Sequence, residues 1–322
     1  MGGLLRRRPV RHVAIGIAPL LVIAVGLLIL LTARFSTAAA PLRAATATAE
    51  ATVVRGDLGA DGKTVELRWT DSRGEAHTSQ VRVPEVSNVH GGGKATVRYV
   101  PDDPSRIFVN GDETSLRLRD LAFEIFAVTI VLLGAVLLTI VHVLRRLRAE
   151  RRPATPTVAT YARSKRGLLQ RSWLILEEGG REWWIPVHWE EQLAGLLAKT
   201  PAKVHGRPML DRVLVIDVGG GVVWQSGRKR SGPPPKADVI TATTPWSKSA
   251  ERRVEATPAE PPPTGRLSRQ FRGDAVVIVV APLLGVLWAY LDGSGQAGFI
   301  GASVLMLGVL FWVPAIFGSD PT

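Results

Sequence analysis

The chain contains no cysteine. Disulfides, thiol nucleophiles, iron–sulfur clusters and thiolate zinc sites are thereby excluded. Catalytic signatures are missing as well: there is no Walker loop, G-x-S-x-G elbow, HExxH, EF-hand loop or kinase signature. Gly219-Gly220-Gly221 follows a predicted strand, but Val222-Val223-Trp224 continues as another strand, so no helix N-terminus is offered to a phosphate. The histidines, at positions 12, 77, 90, 142, 188 and 205, are scattered, and none pairs with another at ligand spacing. Glu177, Glu178, Glu190 and Glu191 read as solvated edges of a hairpin and a helix. No catalytic residue, cofactor-binding residue, cofactor or metal ligand is assigned, and the chain is expected not to be an enzyme.

What is present is apolar sequence in four long runs. About 20 apolar residues cross a bilayer as a helix, and only helices or closed barrels satisfy their backbone there. The predicted spans are 13–32, 123–144, 275–291 and 298–317. None carries a charge at mid-membrane; Glu124 and His142 sit near opposite ends of the second. This weighs against a pump or proton-coupled transporter, which needs intramembrane charge. A cleaved signal peptide is the rival reading of the first run, with small residues at Ser36–Ala40. The run exceeds the usual ~7–15-residue signal core, so an uncleaved anchor is expected. The last two spans read as a hairpin, with Ala281, Gly285 and Ala289 forming one small-residue stripe and Ala297 and Gly301 starting another.

Arginine placement sets the expected orientation. The net charge is +12. Residues 33–120 hold 12 basic and 12 acidic residues, whereas 145–272 hold 24 basic and 12 acidic. The tail 1–12 is basic, and the short loop and C-terminus after 291 hold no Lys or Arg. A cytoplasmic N-terminus, an outside loop one, a cytoplasmic loop two and a cytoplasmic C-terminus satisfy every count. The expected location is the plasma membrane, multi-pass. Arg145, Arg146, Arg148, Arg151 and Arg152 are predicted membrane-surface contacts to anionic lipid headgroups. Nucleic acid is not expected, because topology already explains the arginine excess.

Both large loops carry strand signals. In 33–120 these are 51–54, 64–70, 77–83, 95–100 and 106–109, a small extracytoplasmic β module. In 153–226, strands at 157–161, 173–177 and 182–187 surround Gly179-Gly180, a hairpin signal. Helical spacing at 190–197 and strands near 202–205, 212–217 and 222–224 complete a cytoplasmic β-rich module. The two modules follow a similar order, as an internal duplication would. Trp183 and Trp184, being adjacent on a strand, must point to opposite faces. Residues 227–270, rich in Pro and Arg, read as a disordered linker. The fold class is therefore an α-helical membrane protein of four spans with two small, mainly β soluble modules.

The most specific string is Tyr99-Val100-Pro101-Asp102-Asp103-Pro104-Ser105. Pro101 is expected to stop the preceding strand, and Asp102-Asp103-Pro104 to turn. With Gly93 and Val97 before it, the string resembles a widespread bacterial family of uncharacterised membrane proteins. Their small extracytoplasmic β module ends in a Y-x-P-x-x-P pattern. Gly93, Val97, Tyr99, Pro101 and Pro104 match, and Val100 departs from the usual acid. The resemblance spans about 48–144 and implies architecture, not an activity. The expected role is a non-catalytic envelope scaffold or sensor acting through its β modules, with an envelope protein and the lipid bilayer as partners. A transporter or channel component is the alternative, for which Thr129, Thr139 and Ser303 are thin material for a polar pore lining.

Overall fold

The computed structural model describes residues 8–84, 91–166, 169–196, 199–234, 238–241, 275–293 and 295–317. The chain divides into two compact units, Ala24–Val131 and a second made of Met1–Ile23 with Leu132–Thr322. Helices α1 (Arg8–Ala44) and α2 (Glu113–Glu150) run through both. Each extends well past its predicted span. The Asp112 side chain starts α2 by accepting from Ser115 N at 2.7 Å, an N-cap that the loop reading of 113–120 missed. After the second module come α4 (Ala275–Asp292) and α5 (Gly295–Phe317). Among the described residues, three helices are long and apolar enough to cross a membrane: α1 from Val13, α2 and α5. The apolar stretch of α4, Ile278–Leu291, is shorter.

The first unit holds five antiparallel strands: β1 (Ala47–Leu58), β2 (Thr64–Thr70), β3 (Ala76–Arg82), β4 (Lys94–Val100) and β5 (Asp103–Val109). Their order is β3-β2-β1-β4-β5. Alternation decides what is buried: Val65, Leu67 and Trp69 point inward from β2, and Val97 and Tyr99 from β4, against Ala51 and Val53 of β1. The expected five strands are all present, but one turn differs. Val100 pairs with Asp103, so the reversal is made by Pro101 and Asp102 alone. Pro101 takes the first central position, where its fixed φ is an advantage. Pro104 lies within β5, an edge strand that tolerates a missing N–H.

The second module contains β6 (Ala154–Arg166), β7 (Leu169–Glu178), β8 (Arg181–Val187), a single helical turn α3 (Glu191–Ala194), β9 (Thr200–His205), β10 (Val215–Val218), β11 (Gly221–Trp224) and β12 (Asp238–Thr241). The order is β11-β10-β9-β6-β7-β8. The two ends meet, because His188 N donates to Trp224 O at 3.0 Å and Ser226 N to Pro186 O at 2.8 Å. Six strands therefore close into a small barrel. Its interior holds Tyr161, Leu174, Leu176, Ile185, Val204 and Ile216 among others. Gly179 and Gly180 turn the β7–β8 hairpin at φ 60° and 73°, the positive pair such a two-residue loop requires.

Trp183 packs on the barrel interior, while Trp184 lies on the other face against Trp173. Opposite faces were expected, with the outward ring exposed or facing the bilayer; instead Trp184 is buried and Trp183 half-buried. Val239 of β12 packs against this outer cluster. That strand corrects the linker boundary. Arg230 bridges to Trp184, and β12 pairs with Ala162–Lys165 of β6, so the module continues past Ser226 to Thr241. The rest of the expected linker, 242–270, lies outside the described residues.

Helices α4 and α5 pack as the expected hairpin. Ala281 and Gly285 are buried, and a Cβ on Gly285 would fall 3.0 Å from Ser303 Cα. The stripe expected at Ala297 and Gly301 does not form the contact: Ala297 is exposed and Gly301 has open space beside it. Instead α5 uses Ser303 toward α4 and Gly308 toward α1, where a Cβ on Gly308 would fall 3.0 Å from Leu20 Cα.

Candidate functional site

The end of α2 is fastened to the outside of the barrel. Ala149, Val215 and Trp224 are buried together, with Val143 and Leu147 beside them. Arg146 sits at the margin of this contact, only 7% exposed. Its Nε and Nη2 donate to the Gln225 carbonyl at 2.9 and 2.5 Å, and its Nη1 to the His142 carbonyl at 3.0 Å. Gln225 is itself locked, its Oε1 accepting from Leu214 N at 2.8 Å. Of the five predicted membrane-surface arginines, Arg146 is thus turned inward. Arg152 is also engaged, pairing with Asp211 at 2.9 Å and donating to the Val213 carbonyl at 3.2 Å. Arg145, Arg148 and Arg151 are exposed.

Beside Arg146 opens a cavity of about 1190 Å³, somewhat above the ~300–1,000 Å³ usual for ligand sites. One side is apolar and comes from the helices: Leu138 and Val141 of α2, and Trp312, Ile316 and Phe317 of α5. Trp312 Nε1 donates to Thr139 Oγ1 at 2.9 Å and ties those helices together. The other side is basic: Arg145, Arg146, Arg171, Arg212, Arg228 and Arg230 line it, and no lining residue among the described ones is acidic. Arg171 Nη2 donates to the Phe317 carbonyl at 2.9 Å and also lies over the Trp173 ring. Arg145, Arg212 and Arg228 have no hydrogen bond or ion pair among the described residues. Ser226 is 2% exposed, and its Oγ has no hydrogen-bond partner among them.

Lys229 also borders the cavity but is spoken for. Its Nζ donates to the Pro208 and Asp211 carbonyls and lies over Trp183. Burial lowers its pKa below the ordinary lysine value, against the opposing pull of Asp211 and Glu178. Farther round the barrel, His205 faces two acceptors: the Arg152 carbonyl at Nδ1 and the Asp217 carboxylate at Nε2, both at 3.0 Å. Burial disfavours its charge, but these contacts and the nearby Glu150 outweigh it, and the pKa is raised.

The first module offers a different constellation. Asp71, Glu75 and His77 bring one ligand atom each within 4.8 Å of one another. Histidine spacing in the sequence does not show this, because the partners are carboxylates gathered by the β2–β3 turn. Asp71 Oδ1 already accepts from Arg73 N and Glu75 N, both at 2.9 Å, and Oδ2 meets His77 Nε2 at 3.1 Å. Burial would raise the Asp71 pKa, but His77 and these backbone donors together lower it. Trp69 stacks on His77, and Tyr99 Oη accepts from Ser72 N at 3.0 Å. The group is accounted for as the clamp of a tight turn, with Tyr99 of the Y-x-P string as its floor. Val97 is buried, and Gly93 O accepts from Val53 N at 2.8 Å.

No family model matches the chain, and neither a curated protein nor a solved structure gives a significant match.

Proposed function

We propose that the protein is a multi-pass plasma-membrane scaffold or sensor that works without catalysis, through a β module on each side of the bilayer. The observation that carries this reading is the continuity of α2. Residues 110–112 alone separate β5 from α2, and residues 151–153 alone separate α2 from β6. Its 38 residues span about 57 Å, well beyond the ~30 Å hydrocarbon core. Arg146 and the Trp224 contact then fasten its last turns to the barrel. A load or ligand on the first module reaches the barrel along one helix. The arginine distribution favours a cytoplasmic N-terminus, an outside first module and a cytoplasmic barrel and C-terminus, with α4 as the fourth crossing.

The test is crosslinking in cells followed by purification in mild detergent, for the full chain and for a variant with β1–β5 replaced by a Gly/Ser linker. A scaffold or sensor recovers the same envelope protein repeatedly, and the variant loses it. Solute flux in liposomes containing the purified chain alone, abolished by Thr129→Val with Ser303→Ala, would instead establish the transporter reading.

A further inference from the structure

We propose that the arginine-lined cavity binds the phosphate-bearing headgroup of an anionic membrane lipid, with the acyl chains lying along α2 and α5. This rests on the reading that the C-terminal end of α2 meets the cytoplasmic face of a membrane. Three observations converge on it. The first is concentrated positive charge: six arginines and, among the described residues, no carboxylate line the cavity. Like charges gathered around a concave, partly desolvated site repel one another, and an anion between them removes that repulsion. Guanidinium groups suit phosphate, since each presents paired donors to two oxygens.

The second is unfilled hydrogen-bonding capacity. Among the described residues, the exposed Arg145, Arg212 and Arg228 have no hydrogen bond or ion pair, and the buried Ser226 Oγ beside them has no hydrogen-bond partner. Buried hydroxyls are nearly always paired, so an unpaired one in a cavity wall indicates that something else completes it. The third is the two-sided lining. A soluble phosphate compound needs only the basic wall. Here Leu138 and Phe317, 58% and 57% exposed in α2 and α5, continue the cavity onto helix surface apolar enough to lie in lipid. An amphiphile with a phosphate head and hydrocarbon tails matches both walls; basic pockets beside membrane helices on the cytoplasmic side commonly take such headgroups.

The test uses the full chain, delipidated in neutral detergent, with native mass spectrometry counting bound phosphatidylglycerol, phosphatidylcholine or inorganic phosphate. The proposal expects phosphatidylglycerol to bind in preference to phosphatidylcholine. Arg145→Gln, Arg212→Gln and Arg228→Gln together should weaken it at least about tenfold, since each removes a charge-assisted bond. Ser226→Ala, which removes a hydroxyl with no hydrogen-bond partner among the described residues, should weaken it about threefold. Arg148→Gln with Arg151→Gln, exposed charges that do not line the cavity, should change it by less than about twofold. Equal losses in the two arginine sets mean diffuse surface attraction and overturn the proposal. So does full competition by millimolar inorganic phosphate, which makes the ligand a soluble anion, and so does equal binding of the two lipids. None of these outcomes depends on which side of the membrane the barrel occupies, so the scaffold reading stands or falls separately.

Discussion

Arg146 and His205 show how single side chains hold the barrel to the helix that leads into it. Arg146 gives its donors to carbonyls, with the Gln225 oxygen taking two of them. Arg146→Met keeps the stem and strands that carbonyl, so a loss of about 3 kcal/mol is expected, visible as a lower midpoint in the tryptophan fluorescence of the detergent-solubilised chain. His205 behaves differently because both ring nitrogens face acceptors, which only the doubly protonated ring satisfies. Its raised folded pKa fixes the sign: the contribution is fully present below the unfolded value of about 6.5 and fades as pH rises through the folded value. Denaturation midpoints should therefore fall as pH rises above about 6.5, and His205→Gln should flatten that dependence; an unchanged slope would remove His205 as its source.

Among the elements, packing between helices is carried by small residues at a few close approaches. A side chain at Gly285 has no room against the Ser303 backbone. Gly285→Leu should separate α4 from α5 at a cost of about 1–3 kcal/mol, whereas Gly301→Leu, facing open space, should cost little; disulfide crosslinking between cysteines placed on the two helices would report it. The stripe on α4 was legible because i, i+4 spacing defines a face whatever it meets. Its counterpart on α5 was not, because an Ala/Gly-rich helix offers several such faces and only the partner selects one. The strands were legible for a similar reason: period-two alternation in β2 and β4 fixes which side is buried. Their pairing was only partly so. The barrel closure depends on residues 225–230, which lack alternation and look like linker, and the basic cavity gathers Arg145, Arg171, Arg212 and Arg228 from distant positions that no spacing rule connects. The similar order of the two modules does recur in the topology, as β3-β2-β1-β4-β5 and β8-β7-β6-β9-β10.

At the scale of the whole molecule, the arginine asymmetry makes a topological prediction. Reporter insertions at Gly91 and between Pro258 and Ala259 should lie on opposite sides of the membrane, with Gly91 outside. Reporters on the same side would break the four-span arrangement. The barrel closure has a further consequence, for the order of events during synthesis. Every strand that seals the second module, including β12, precedes α4 and α5 in the chain. At ordinary translation rates the residues after Thr241 take on the order of ten seconds to emerge, far longer than small β structures need to form. The nascent barrel is therefore complete while the last hairpin is still unmade, and α5 arrives at a finished surface rather than helping to build it.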